Sequence, residues 1–186
     1  MAMVTKKELR ILLQKEALDN KDHDFSEEDN ASIEALLACD EYKNATSVFA
    51  FVPLPSEVNI NKFLDIAVKE KRLALPRCLD EGLMEFCLAE KVWNKGLVRS
   101  SRNIAEPICE HIIEPDEHSI ILVPALAFSK LKQRLGRGMG YYDRFLNRYP
   151  SVMTIGICRR YQFFDDIPVE KFDKNVNKVL VNGIFY

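Results

Sequence analysis

Apolar positions recur at helical spacing twice near the start of the chain. Thr5-x-x-Glu8 has capping-box spacing, and Leu9, Leu12, Leu13 and Ala17 follow on one face of the predicted helix. Ser26-x-x-Asp29 opens a second helix, with Ile33, Leu36 and Leu37 turned inward. Val48–Val52 is a continuous apolar run closed by Pro53 and Pro55, the pattern of a strand buried on both faces. Asn59 or Asn61 can cap a third helix carrying Phe63, Leu64, Ala67 and Val68. Arg72–Leu75, ahead of Pro76, and Leu83–Leu88, after the turn-forming Asp80-Glu-Gly82, read as strands. Ala89–His118 shows no clear period, although Glu106-Pro107 points to an extended turn. Ser119–Val123 is the strongest strand signal. A cluster of glycines follows it, then a helix over Tyr141–Tyr149 stopped by Pro150, and Val152–Cys158 and Lys178–Val181 supply the last strands.

Strands and helices alternate, which predicts an α/β fold: a three-layer αβα single domain over residues 1–186, with a mainly parallel sheet and right-handed crossovers. Repeats, low-complexity tracts and linkers are absent from the sequence. In such sheets ligands gather at the carboxyl ends of the strands, and the Gly-rich loop is expected at one of them.

Composition narrows the partners. A mixed surface with a net charge of −2 does not suit a general nucleic-acid or membrane-surface binder, so attraction for an anion must be local. Met1-Ala-Met-Val-Thr-Lys-Lys-Glu8 carries no apolar signal core, and the longest apolar run, Ile120–Phe128, contains Pro124 and is too short to cross a bilayer. A cytoplasmic protein, monomeric or weakly dimeric, is expected. Cys39, Cys78, Cys87, Cys109 and Cys158 are odd in number and lack CxxC spacing, so they are expected to be reduced. His23, His111 and His118 make no ligand pattern with them and read as surface or loop residues.

The candidate chemistry lies in Gly136-Arg-Gly-Met-Gly140, between a strand and a helix. Missing β-carbons let backbone amides converge on an anion, and the helix N-terminus behind them adds partial positive charge. Lys130, Lys132, Arg134, Arg137 and Arg144 crowd the same stretch against one acid, Asp143. Neither the Walker pattern nor the dinucleotide fingerprint fits. A mobile basic loop capping a helix would show the same residues. Asp143 suits either a helix dipole or a magnesium ion beside phosphates. Lys6 and Arg10, four apart on a polar helix face, and Glu57, past the first strand, suit either solvent or a ligand.

Taken together, Val123-Pro-Ala-Leu-Ala-Phe128, Arg134-Leu-Gly-Arg-Gly-Met-Gly-Tyr-Tyr-Asp143 and Phe145-Leu146 resemble the signature of the 5-formyltetrahydrofolate cyclo-ligase family, also called methenyltetrahydrofolate synthetases. The likeness extends to Lys6-x-x-x-Arg10, Glu57-Val58, Leu75-Pro76-Arg77, Glu106-Pro107, Gln162, Pro168 and Asp173. It implies an enzyme that closes 5-formyltetrahydrofolate to 5,10-methenyltetrahydrofolate using ATP and Mg2+. It further implies that Lys6, Arg10, Arg134 and Leu135 with Gly136, Arg137, Gly138, Met139, Gly140, Tyr141 and Tyr142 receive ATP. Val52 and Glu57 would touch the folate, with Arg137 through Tyr141 between the two substrates. Asp143 and Asp173 would hold magnesium, and Arg137 would neutralise the transferring phosphoryl group. The chain departs from the family pattern at Ala125 and Lys132, where glycine is usual, at Ser129, where aspartate is usual, and at Asn177, often an acid. Two other readings remain at this point: a sugar-phosphate isomerase-like protein, and a nucleotide- or folate-binding module without catalysis.

Overall fold

The computed structural model describes residues 4–100 and 104–186. The first three residues of the N-terminal stretch, and three within the unpatterned 89–118 segment, lie outside the described residues.

Helix α1 (Lys6–Asp19) starts at Thr5 in a complete capping box with Glu8. Leu9 and Leu13 are buried, but Leu12 is 48% exposed and Ala17 half-buried. The expected inward face is therefore narrower. The reason is its partner: α1 packs on Leu126, Leu135 and Ile167 of a side layer rather than on the central sheet. Helix α2 (Ser26–Ala38) is entered through Phe25, and the Asp24 carboxylate, not a Ser26 hydroxyl, accepts the first free N–H at 2.9 Å. A short α3 (Asp40–Asn44) leads into β1 (Ser47–Phe49), after which the buried chain leaves the ladder at Ala50 to Val52. Helix α4 (Asn61–Glu70) begins after Ile60, with Asn59 accepting the Asn61 N–H at 3.1 Å.

Strand β2 (Arg72–Cys78) runs through Pro76 instead of stopping before it. Beyond Ala74 β1 no longer flanks β2, and proline is tolerated where one edge is unpaired. The β2 strand turns into β3 (Met84–Leu88), and the unpatterned segment holds β4 (Leu97–Arg99), β5 (Ala105–Pro107) and β6 (Ile112–Ile113). Then come β7 (Ser119–Val123), two short strands β8 (Ala127–Ser129) and β9 (Arg134–Leu135), and α5 (Tyr141–Arg148). The chain ends through β10 (Met153–Cys158), β11 (Phe163–Phe164), β12 (Lys178–Val181) and β13 (Ile184–Phe185).

The large sheet has the order β13-β12-β10-β7-β1-β2-β3-β6. Its centre, β12-β10-β7-β1-β2, is parallel throughout, and antiparallel strands close both edges. One face packs Val48, Leu73, Ile120 and Ile155 against Ile33, Leu36, Phe63 and Leu64 from α2 and α4. The other packs Phe49, Ala74, Ile121 and Val179 against Phe145 and Leu146 from α5. Three layers result. The side sheet β11-β8-β9 extends the second face and carries α1. Among the described residues no helix is long and apolar enough to cross a membrane.

One expectation fails outright. Cys87 and Cys109 form a disulfide, and Cys39, Cys78 and Cys158 stay outside it as thiols. The chain returns from β5 towards β6, which pairs with β3 beside Cys87, and so brings together two cysteines 22 residues apart. Local spacing carried no sign of that return.

Candidate active site

The parallel strands end at a cleft of about 340 Å³, whose wall includes Phe51 and Val52 past β1, Pro76 and Cys78 in β2, and Pro124 and Ala125 past β7. The Gly-rich loop closes one side. Gly138 and Gly140 hold φ of 101° and 69°, the left-handed region that a β-carbon disfavours, and Gly140 is the entry residue of α5. The backbone therefore turns sharply enough to face the cleft while starting a helix. Arg10 donates through Nε to the Gly136 carbonyl at 3.0 Å, so α1 steadies the loop from behind. Arg144 braces the other end, donating to the carbonyls of Gly82 (2.8 Å) and Met139.

Charges are paired across the cleft. Arg134 is buried, with Nη2 2.5 Å from Asp143 Oδ1, and the Lys174 N–H donates to the same oxygen at 3.2 Å. Lys6 Nζ lies 2.5 Å from Asp173 Oδ2 and 3.3 Å from Glu170. Arg137 Nη2 meets Glu57 Oε1 at 3.0 Å, and Glu57 Oε2 accepts the Leu54 N–H at 2.9 Å. Burial pushes the Glu57 carboxyl above the usual carboxylate range, although Arg137 and the Leu54 N–H pull it back. The Tyr142 phenol is pushed well up, by burial first and the Glu57 charge second, and so keeps its proton at neutral pH.

The residues that the resemblance implies for the site all lie on this wall: Lys6 and Arg10 from α1, Val52 and Glu57 past β1, the run from Arg134 to Asp143, and Asp173. Lys130 and Arg144 of the cation cluster do not; they are engaged by Asp165 and by the Gly82 carbonyl. The sequence missed Glu106, Met84, Ile104, Cys78 and Glu170, which also line the cleft. Of these only Glu106 stands out in the sequence, in a dipeptide read as an extended turn and as one of the outlying family matches, with no role attached. Of the departures, Ala125 is a buried wall residue. Lys132 keeps a φ of 63°, the conformation that a glycine there would adopt without strain. The Ser129 hydroxyl donates to Gln133 at 2.6 Å, and Asn177 accepts from the Thr154 N–H and hydroxyl at 2.8 and 2.7 Å, tying β10 to the entry of β12.

Among the described residues, three metal-ligating side chains come together only at Glu85, Cys87 and Cys109, and there the thiols are consumed by the disulfide. Asp143 and Asp173 offer hard oxygens on the same cleft wall, and the Lys174 N–H contact holds Asp143 against the chain next to Asp173. Two carboxylates fit magnesium, which takes one or two of them and completes its shell with phosphates and water.

A three-layer fold with a glycine-built cleft at its strand ends, lined by cations and carboxylates together, defines an α/β protein suited to a small molecule that carries both acceptors and donors. Comparison with known proteins is more specific: the model of the 5-formyltetrahydrofolate cyclo-ligase family matches residues 2–182. The chain belongs to that family. A probable 5-formyltetrahydrofolate cyclo-ligase of Schizosaccharomyces pombe is 27% identical over 94% of both chains. The 5-formyltetrahydrofolate cyclo-ligase of Mycolicibacterium smegmatis is 33% identical over 72% of each. The solved 5,10-methenyltetrahydrofolate synthetase of Aquifex aeolicus superposes with a TM-score of 0.81 at 25% identity, covering 97% of this chain and 91% of that one.

Proposed function

We propose that this chain, acting as one domain over residues 1–186 in the cytoplasm, closes 5-formyltetrahydrofolate to 5,10-methenyltetrahydrofolate with conversion of ATP to ADP and phosphate. The observation carrying the proposal is that one cleft holds the cations Lys6, Arg10, Arg134 and Arg137 beside a buried carboxyl, Glu57. Phosphoryl transfer needs positioning and charge neutralisation rather than a strong base. The cationic side meets that need. A pterin carries N–H donors, and a buried carboxylate is the group to accept them.

In this reading Lys6, Arg10, Arg134 and the backbone from Leu135 to Tyr142 receive the nucleotide phosphates, and Val52 and Glu57 receive the folate. Arg137 sits on the boundary, its guanidinium on Glu57 and its backbone in the loop. A formamide oxygen is a poor leaving group. Taking the γ-phosphoryl makes it a good one and leaves an electrophilic carbon. The neighbouring folate nitrogen attacks that carbon over a short intramolecular distance and gives up its proton, and the carbon–oxygen bond breaks to release phosphate. Asp143 and Asp173 would hold magnesium, which offsets the negative charge of the phosphates when bound. Lys6 and Arg134, already on those carboxylates, fix their orientation.

The test combines protein, magnesium, ATP and 5-formyltetrahydrofolate and follows the ultraviolet absorbance of the conjugated methenyl product. Absorbance should rise only with all components present. Binding without a rise would assign a silent module, and absence of folate binding would return the isomerase-like reading.

A further inference from the structure

Among the described residues, three buried polar atoms with no partner lie on the cleft wall: Arg134 Nε, the Tyr142 hydroxyl and Glu106 Oε1. The first two belong to the run that would receive the nucleotide in the proposed reading. Glu106 does not. We infer that Glu106 is a substrate-positioning residue whose free carboxylate oxygen accepts a ring N–H of the bound pterin, an inference that rests on the proposed folate reading.

Glu106 is 6% exposed and makes no ion pair or side-chain hydrogen bond with any described residue. Its backbone is secured in β5 opposite Val98, so only the side chain lacks a counterpart. An unpaired buried carboxyl costs stability and returns nothing in the ligand-free fold. The return must come from a ligand. A carboxylate only accepts, so the ligand atom is a donor, and phosphate oxygens are repelled from it. The same cleft is lined by the apolar Ile104, Met84 and Pro76, and β5, which carries Glu106, packs on β2, which carries Pro76, so a flat heterocycle has apolar surface to rest on.

Both substrates carry such a ring. Adenine offers a single donor group, its amino group. The reduced pterin offers an amino group and two ring N–H groups on different edges. A cleft with two buried carboxyls, Glu57 and Glu106, matches the ring that has donors on more than one edge. Pterin is favoured.

The experiment uses the full chain with Glu106→Ala and Glu106→Gln. It measures KM for 5-formyltetrahydrofolate and for ATP separately, calorimetric binding of each, and the thermal midpoint. Loss of a charge-assisted hydrogen bond from a dry site should raise the folate KM and Kd about 10- to 100-fold in the Ala variant. ATP constants should hold, and Gln, which keeps a carbonyl acceptor, should recover most of the loss. The midpoint should stay or rise, because an unpaired buried carboxyl is gone. A fall in midpoint with unchanged folate constants makes the residue structural and overturns the inference. A shift confined to ATP overturns it in favour of adenine. Wild-type protein that binds folate but does not turn it over defeats the cyclo-ligase reading alone, since calorimetry still reads Glu106. Wild-type protein that binds no folate defeats both.

Discussion

Arg137 and Glu57 neutralise each other across the cleft, yet they are unequal: the carboxyl is sealed in, and the guanidinium is 41% exposed in its side chain. On the proposed reading, the exposed partner is the one that turns to a phosphoryl group. Arg137→Ala should lower kcat about 100-fold or more while ATP affinity stays within about threefold, as expected for a cation that acts on developing charge. Turnover and nucleotide binding measured on the same preparation separate the two. Glu57 makes its own prediction through pH. Burial lifts its folded carboxyl above the ordinary carboxylate range, so the folded state holds the proton more tightly than the unfolded chain does. Its contribution to stability is complete below about pH 4.5 and is lost as pH rises through the raised folded value. Denaturation midpoints across that window should fall less steeply for Glu57→Gln than for wild type. An unchanged slope would mean the carboxyl titrates normally.

Among the elements, the central parallel strands were legible because each is a short apolar run bounded by turn residues. Ser119–Val123 and Lys178–Val181 appear within the bounds read from sequence alone. Leu12 was misassigned because helical period reports a face, not the width of what covers it, and α1 meets a narrow side layer. Strands β8 and β9 escaped notice because each is two or three residues long and pairs only through tertiary contact. The disulfide belongs to this level, tying β3 to the chain leaving β5. Closing a loop of that length restricts the unfolded chain, a stabilisation of about 3 kcal/mol. Reductant should lower the urea midpoint correspondingly, and Cys87→Ser with Cys109→Ser should remove the sensitivity. If reductant changes nothing in wild type, the bond contributes nothing in solution.

For the molecule as a whole, the site was only partly written in local sequence. The loop from Arg134 to Asp143 announces itself, because three glycines and a cluster of cations are contiguous. The partners that orient those cations are not. Glu57 reaches Arg137 from the far side of β1, and Glu106 is delivered by a segment with no periodic signal. Such pairings depend on strand order, which no spacing rule encodes.

The contact between Lys6 and Asp173 joins residues 167 positions apart. A ribosome delivers the first long before the second. The growing chain therefore lacks a complete cleft until its final segments emerge, and on the proposed reading a stop codon that removes Asp173 together with the strands after it would forfeit ligand capture even when the whole signature loop has been translated.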